Sequence, residues 1–151
     1  MASTTTPGTS KELQRLVDDG WRVFRESVRH IGRARIGETT SAGWTYKDLV
    51  AHVAAWEERT ARQLAAFRET GAHERLPGGD ADAFNARVVE SHRLVGAEAI
   101  LDELDTSHRL LLHELMWLTD SQVHAHEWVV AVVVGATYGH YEEHAKELGL
   151  E

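Results

Sequence analysis

Five stretches of the chain repeat apolar residues near the helical period. In the first, Leu13, Leu16, Val17, Trp21, Phe24, Val28 and Ile31 recur mostly at three- and four-residue steps, which lays them along one face of an α-helix. Thr9-Ser10-Lys11-Glu12 has the form of a capping box, with Thr9 as N-cap and Glu12 reaching back. Gly32 is the expected end, and Gly20, inside the helix, weakens it by ~1 kcal/mol relative to alanine. A second capping box, Thr45 with Asp48, opens a long helix carrying Leu49, Val53, Trp56, Leu64 and Phe67 to a stop at Gly71.

Leu76-Pro77-Gly78-Gly79-Asp80 is the clearest loop. Asp80 or Asp82 could cap a third helix holding Phe84, Val88 and Val95, and Gly96 marks a break or bend. Residues 98–118 resume the helical pattern through Ile100, Leu101, Leu104, Leu111, Leu112, Leu115 and Leu118, and 119–126 read as a polar turn. The last stretch is ambiguous, because Val129-Val130-Ala131-Val132-Val133-Val134 is β-branched and would ordinarily be a buried strand. No second stretch reads as a strand to pair with it. Val133, Thr137, His140, His144 and Leu148 also share one i+3/i+4 stripe, so a helix ending at Gly149 is expected. The pattern predicts an all-α fold: an up-down four-helix bundle, its third helix able to split, with room for a crossover after the first or second helix.

Composition narrows the picture. A length of 151 residues suits one domain, able to bury roughly 70% of its unfolded surface. The Thr/Ser/Ala-rich start predicts a mobile tail over 1–9 and a single domain over 10–151. A net charge of −8 with no basic stripe argues against nucleic acid and acidic membranes as partners. The longest apolar run, 128–136, falls well short of the ~20 residues that span a bilayer. A cytoplasmic protein acting on a small molecule is the expectation, and Trp and Val on an outer face would favour a homodimer. With no cysteine, any metal must be held by nitrogen and oxygen, and any thiol nucleophile must come from a bound small molecule.

The candidate chemistry lies in Gly139-His140-Tyr141-Glu142-Glu143-His144. Residues four apart share a helical face, so His140 and His144 would aim two imidazoles at one spot. His52 borders the apolar stripe of the second helix and is the third candidate. Neutral imidazole suits Zn, Ni, Cu and Fe, and three such ligands leave a position open for water or substrate. The competing reading is that ten histidines make an i,i+4 pair easy to reach by accident, leaving these rings in solvent or singly paired in the core. His124 and His126 are a rival pair, set in the presumed turn. His30, His73, His92, His108 and His113 have no partner at helical spacing, so surface or structural roles are expected. Trp44, Trp56 and Trp128 could line a pocket or simply pack in the core. Glu143 is a candidate acceptor for a ligand's second ring nitrogen, or else a solvated carboxylate.

Gly43-Trp44-Thr45-Tyr46-Lys47-Asp48-Leu49-Val50-Ala51-His52, with Trp56-Glu57, resembles the second-helix signature of the DinB-like superfamily. Gly139 to His144 resembles its C-terminal His-x-x-x-His. Asp82-Ala83-Phe84-Asn85, Ser107-His108 and the ending from Tyr138 to Leu148 look closest to the branch holding the ClbS/DfsB proteins and the mycothiol maleylpyruvate isomerase N-terminal domain. The likeness spans about Leu13 to Leu148. It implies a four-helix bundle with His52, His140 and His144 around a divalent metal, often Zn or Ni. It also implies metal-dependent hydrolysis or S-transfer with a low-molecular-weight thiol such as mycothiol, in detoxification or self-resistance. Trp56, Asn85 and Tyr141 are then the pocket residues. The chain has no counterpart of that isomerase's further domain, so the isomerase reaction itself is not expected. The alternative is a ClbS/DfsB-like protein that sequesters a small molecule without needing the metal.

Overall fold

The computed structural model describes residues 6–40, 43–74, 81–145 and 147–148. Seven helices follow one another: α1 (Ser10–Arg35), α2 (Tyr46–Thr70), α3 (Ala81–Ser91), α4 (Ala97–Met116), α5 (Asp120–Ala125), α6 (Glu127–Ala136) and α7 (Tyr138–Glu143). No strand occurs among the described residues; one isolated antiparallel bridge pairs Thr39 with Thr45. α1, α2, α4 and the tandem α6–α7 are the four members of the bundle. α4 packs on α1 and α2, α6 packs on α2, and α7 packs on α1, which closes the ring; α3 lies outside on α2. No helix of the described residues is long and apolar enough to cross a membrane.

Local chemistry explains most boundaries. Thr45 Oγ1 accepts from Asp48 N at 3.0 Å while the Asp48 carboxylate accepts from Thr45 N at 3.1 Å, the reciprocal cap expected at α2. At α1 only half the expected box forms: Thr9 caps Glu12 N, but the Glu12 carboxylate reaches one residue further back to Gly8 N. α2 ends at the left-handed Gly71, as expected. Helical turns run past Gly32 to Arg35, although Gly32 itself leaves the helical conformation (φ 67°). α3 starts at Ala81 with Asp82 inside its first turn, and Gly96 is the N-cap of α4. Asp80, the loop from Leu76 and the Gly149 stop lie outside the described residues. So does most of the expected tail, but Pro7 is buried, and Thr6 to Gly8 border a cavity against α5 and α6.

Two expectations are corrected. The presumed polar turn over 119–126 is largely the short helix α5, capped reciprocally by Thr119 and Gln122. The C-terminal helix is not continuous but breaks at Thr137 (φ −121°, ψ −117°). Thr137 is fully buried, and its hydroxyl donates to Val133 O at 2.7 Å. This back-bonding to the preceding turn is a known cause of helix bending. The kink also needs Gly139, because a Cβ there would stand 2.8 Å from Val134 O.

The core divides into two clusters, with the partly buried Tyr138 packed against both. One gathers Phe24, Val28, Leu49, Val53, Ile100, Leu104 and Tyr141; the other gathers Leu13, Val17, Leu64, Leu111, Leu115, Val129 and Val133. Gly20 owes its place to close helix approach: a Cβ there would stand 2.7 Å from Tyr138 Cβ. Replacing an exposed helical glycine by alanine normally stabilises by ~1 kcal/mol. Gly20→Ala is expected to destabilise instead, by about 1–3 kcal/mol, through overpacking of α1 on α7. Urea unfolding of the variant checks this, and an increase in stability would contradict the packing described.

Candidate metal centre

The capping box at Thr45 starts α2, and His52, in its second turn, lies inward between the buried Ala51 and Val53. α7 supplies His140, and His144 follows directly after the end of that helix. His144 N donates to His140 O at 3.3 Å, so the last turn still keeps the pair on one face. His52 and His140 are each 5% exposed and His144 is half-buried. One ring nitrogen from each of the three lies within 4.8 Å of the others. His52 Nε2 and His140 Nε2, 88 positions apart in the chain, stand 2.7 Å from each other. At that distance one ring must donate its N–H to the lone pair of the other.

The third ring is oriented from outside. His144 Nδ1 donates to Glu147 Oε2 at 2.6 Å, which leaves Nε2 as its lone-pair nitrogen. Of the two readings the sequence left open for Glu143, acceptor or solvated carboxylate, the structure shows it exposed, and Glu147, one turn further on, is the acceptor. The outer shell is otherwise incomplete. His52 Nδ1 and His140 Nδ1 are buried without a hydrogen-bond partner among the described residues.

Burial is the main electrostatic influence. It lowers the His52 ring from its ordinary 6.5 to about 4, with the nearby His144 adding to the effect and Asn85 opposing it. It lowers His140 from 6.5 to about 3, helped by His52 and His144 and opposed by the Ala136 carbonyl. Both rings are therefore neutral at physiological pH, the form in which imidazole binds metals. The donor set fits a divalent transition metal.

Among the other expected site residues, Trp56 and Asn85 lie at the triad. Trp56 Nε1 donates to Asn85 Oδ1 at 2.8 Å, and the Trp56 ring stands 6.3 Å from His52 and 6.5 Å from His140. Trp44 tilts over His52 at 4.8 Å, and Phe84 meets Trp56 edge-on at 5.0 Å, so aromatic rings wall the site on one side. Trp128 is elsewhere, in the second core cluster beside Phe67 and stacked on His73. Of the rival pair, His124 is exposed and His126 packs on Phe67. Tyr141 does not face the triad with its hydroxyl, which donates to Glu57 Oε2 at 3.0 Å.

That last bond exposes a group the sequence reading passed over. Glu57 is fully buried, and its other oxygen accepts from His108 Nδ1 at 2.6 Å. Burial pushes the Glu57 carboxyl above its ordinary range, against the opposite pull of His108 and Tyr141. The ring of His108 stacks on Trp21 at 3.7 Å, and its Nε2 is buried and unpartnered among the described residues. A signal was available in the sequence. Glu57 stands four residues after Val53 and four before Ala61, and His108 four after Leu104 and three before Leu111, so each occupies an apolar register.

The lowered histidines have a measurable consequence in metal-free protein. As pH falls below 6.5 the unfolded chain protonates these rings while the folded chain resists until about 4 and 3. Stability is therefore full above pH 6.5 and lost through that window, by up to ~1.4 kcal/mol per pH unit for each ring. Urea titrations between pH 7 and 4.5 should show this slope, and a His52→Leu/His140→Leu double variant should flatten it. An unchanged slope in the double variant would contradict the burial of neutral rings.

Comparison with known proteins agrees with the fold. Residues 16–141 match the sequence model of the family described as "Mycothiol maleylpyruvate isomerase N-terminal domain". The match includes His52 and His140 and stops three residues before His144. No curated protein and no solved structure matched. With most of its length inside that match and an all-helical bundle to go with it, the chain belongs to the mycothiol maleylpyruvate isomerase N-terminal domain family, within the DinB-like superfamily.

Proposed function

We propose that the chain is a divalent-metal-dependent enzyme acting on a small electrophilic molecule, by hydrolysis or by transfer involving a low-molecular-weight thiol. The observation that carries this reading is the convergence of three imidazoles, two of them buried and neutral, on one space. His52, His140 and His144 would hold the ion, zinc or nickel. When bound, such an ion supplies Lewis-acid polarisation and lowers the pKa of a coordinated water or thiol. Glu147 keeps the His144 ring turned toward the site. Trp44, Trp56 and Phe84 hold bulk water away from one side, and Asn85, anchored by Trp56, is a neutral polar group beside His52 for a substrate. The family's description names mycothiol, and a chain with no cysteine needs a thiol of that kind for any sulfur chemistry. A cytoplasmic setting and a small-molecule partner, with neither nucleic acid nor membrane, suit the net charge of −8.

A second reading has its own support. The His52–His140 contact at 2.7 Å satisfies both nitrogens without any ion, as a metal-independent sequestering protein would require. Melting curves separate the two. Zinc or nickel at a hundredfold excess over Kd should add ~2.7 kcal/mol, or roughly 5–10 °C, to untagged wild-type protein. EDTA should remove the gain, and His140→Ala should lack it. Curves that are identical with metal and with EDTA would favour sequestration.

A further inference from the structure

We propose that Glu57 is a positioning residue for the histidine site, setting how α7 docks and so how far His140 stands from His52. The proposal rests on the reading of those histidines as one ligand set. A single buried carboxylate ties three helices: Glu57 belongs to α2, accepts from His108 on α4 at 2.6 Å and accepts from Tyr141 on α7 at 3.0 Å. Both helices that meet at the histidine pair are thus joined a second time, through Glu57 five residues after His52 and Tyr141 next to His140.

Helix α7 needs such an anchor. It has six residues and no side-chain hydrogen bond at its N-cap, so it has little stability of its own. The network is rigid on both sides. Tyr141 stacks on Phe24 at 4.7 Å and 13°, and His108 stacks on Trp21 at 3.7 Å and 8°. Packing alone does not account for the arrangement, because phenylalanine at 141 and a carbon side chain at 57 would fill similar space. Either would avoid burying a carboxylate, which is costly unless it is fully paired. What a buried carboxylate bonded through both oxygens adds over apolar packing is a defined geometry.

The test uses full-length protein with histidine side chains labelled with ¹⁵N, and Co²⁺ as the metal probe. Tyr141→Phe removes one hydroxyl and is expected to weaken Co²⁺ binding about tenfold and change the visible spectrum of the bound ion. It should also shift the His52 and His140 ring resonances in metal-free protein, although the hydroxyl it removes hydrogen-bonds to neither ring. Glu57→Gln keeps an acceptor for Tyr141 and should retain most of the affinity that Glu57→Ala loses. Leu115→Ala, in the other core cluster, is the stability control: it should lower the melting temperature while leaving resonances and Co²⁺ affinity unchanged. If Tyr141→Phe leaves both resonances in place, or its affinity loss merely follows its melting temperature as in Leu115→Ala, the proposal is wrong. Failure of the wild type to bind Co²⁺ overturns the metal reading separately. The metal-free resonances then decide the positioning role, a shift supporting it and no shift ending it.

Discussion

A helix of six residues cannot hold itself in place, and the histidine site depends on one. α7 is docked by three contacts from two helices: on α1, Tyr138 against the bare backbone at Gly20 and Tyr141 stacked on Phe24; on α2, the Tyr141 hydroxyl on Glu57. The break at Thr137 frees α7 from the line of α6 and lets it lean on α1. Were the C-terminal segment one straight helix, His140 would be aimed by the packing of α6 on α2. It is aimed instead by a short segment whose orientation is set almost entirely by its partners.

Buried ionisable groups gather near this docking point: His52, Glu57, His108 and His140 are all buried, whereas at the cluster around Leu13, Val17, Leu64, Leu111, Leu115 and Val129 the buried Ser10 is uncharged and bonded to Leu115 O. Desolvated polar groups lower stability unless paired, so a small domain with a net stability of ~5–15 kcal/mol tolerates few of them. The apolar cluster provides the surplus that lets the other half of the bundle hold imidazoles and a carboxylate in low dielectric. That same low dielectric keeps His52 and His140 neutral, the state in which they are competent ligands.

Much of the fold was legible residue by residue. The Thr45–Asp48 box and the Gly71 stop each state a local geometry, and each was found where expected. The α5 helix was missed because its capping residues, Thr119 and Gln122, bracket a stretch too short for a periodic signal. The Thr137 kink was missed because the i+3/i+4 stripe continues through it: Val133, His140 and Leu148 are all buried on either side of the break.

For the site, the sequence alone determined which side chains share a helical face: His140 with His144, and His52 beside the apolar stripe of α2. Those are properties of a 3.6-residue period and need nothing beyond the chain itself. Only the tertiary structure decided that His52 Nε2 meets His140 Nε2 and that Glu57 pairs with His108 and Tyr141. The reason is physical. Contacts across helices depend on each helix's rotation and depth in the bundle, which long-range packing sets and local periodicity cannot encode.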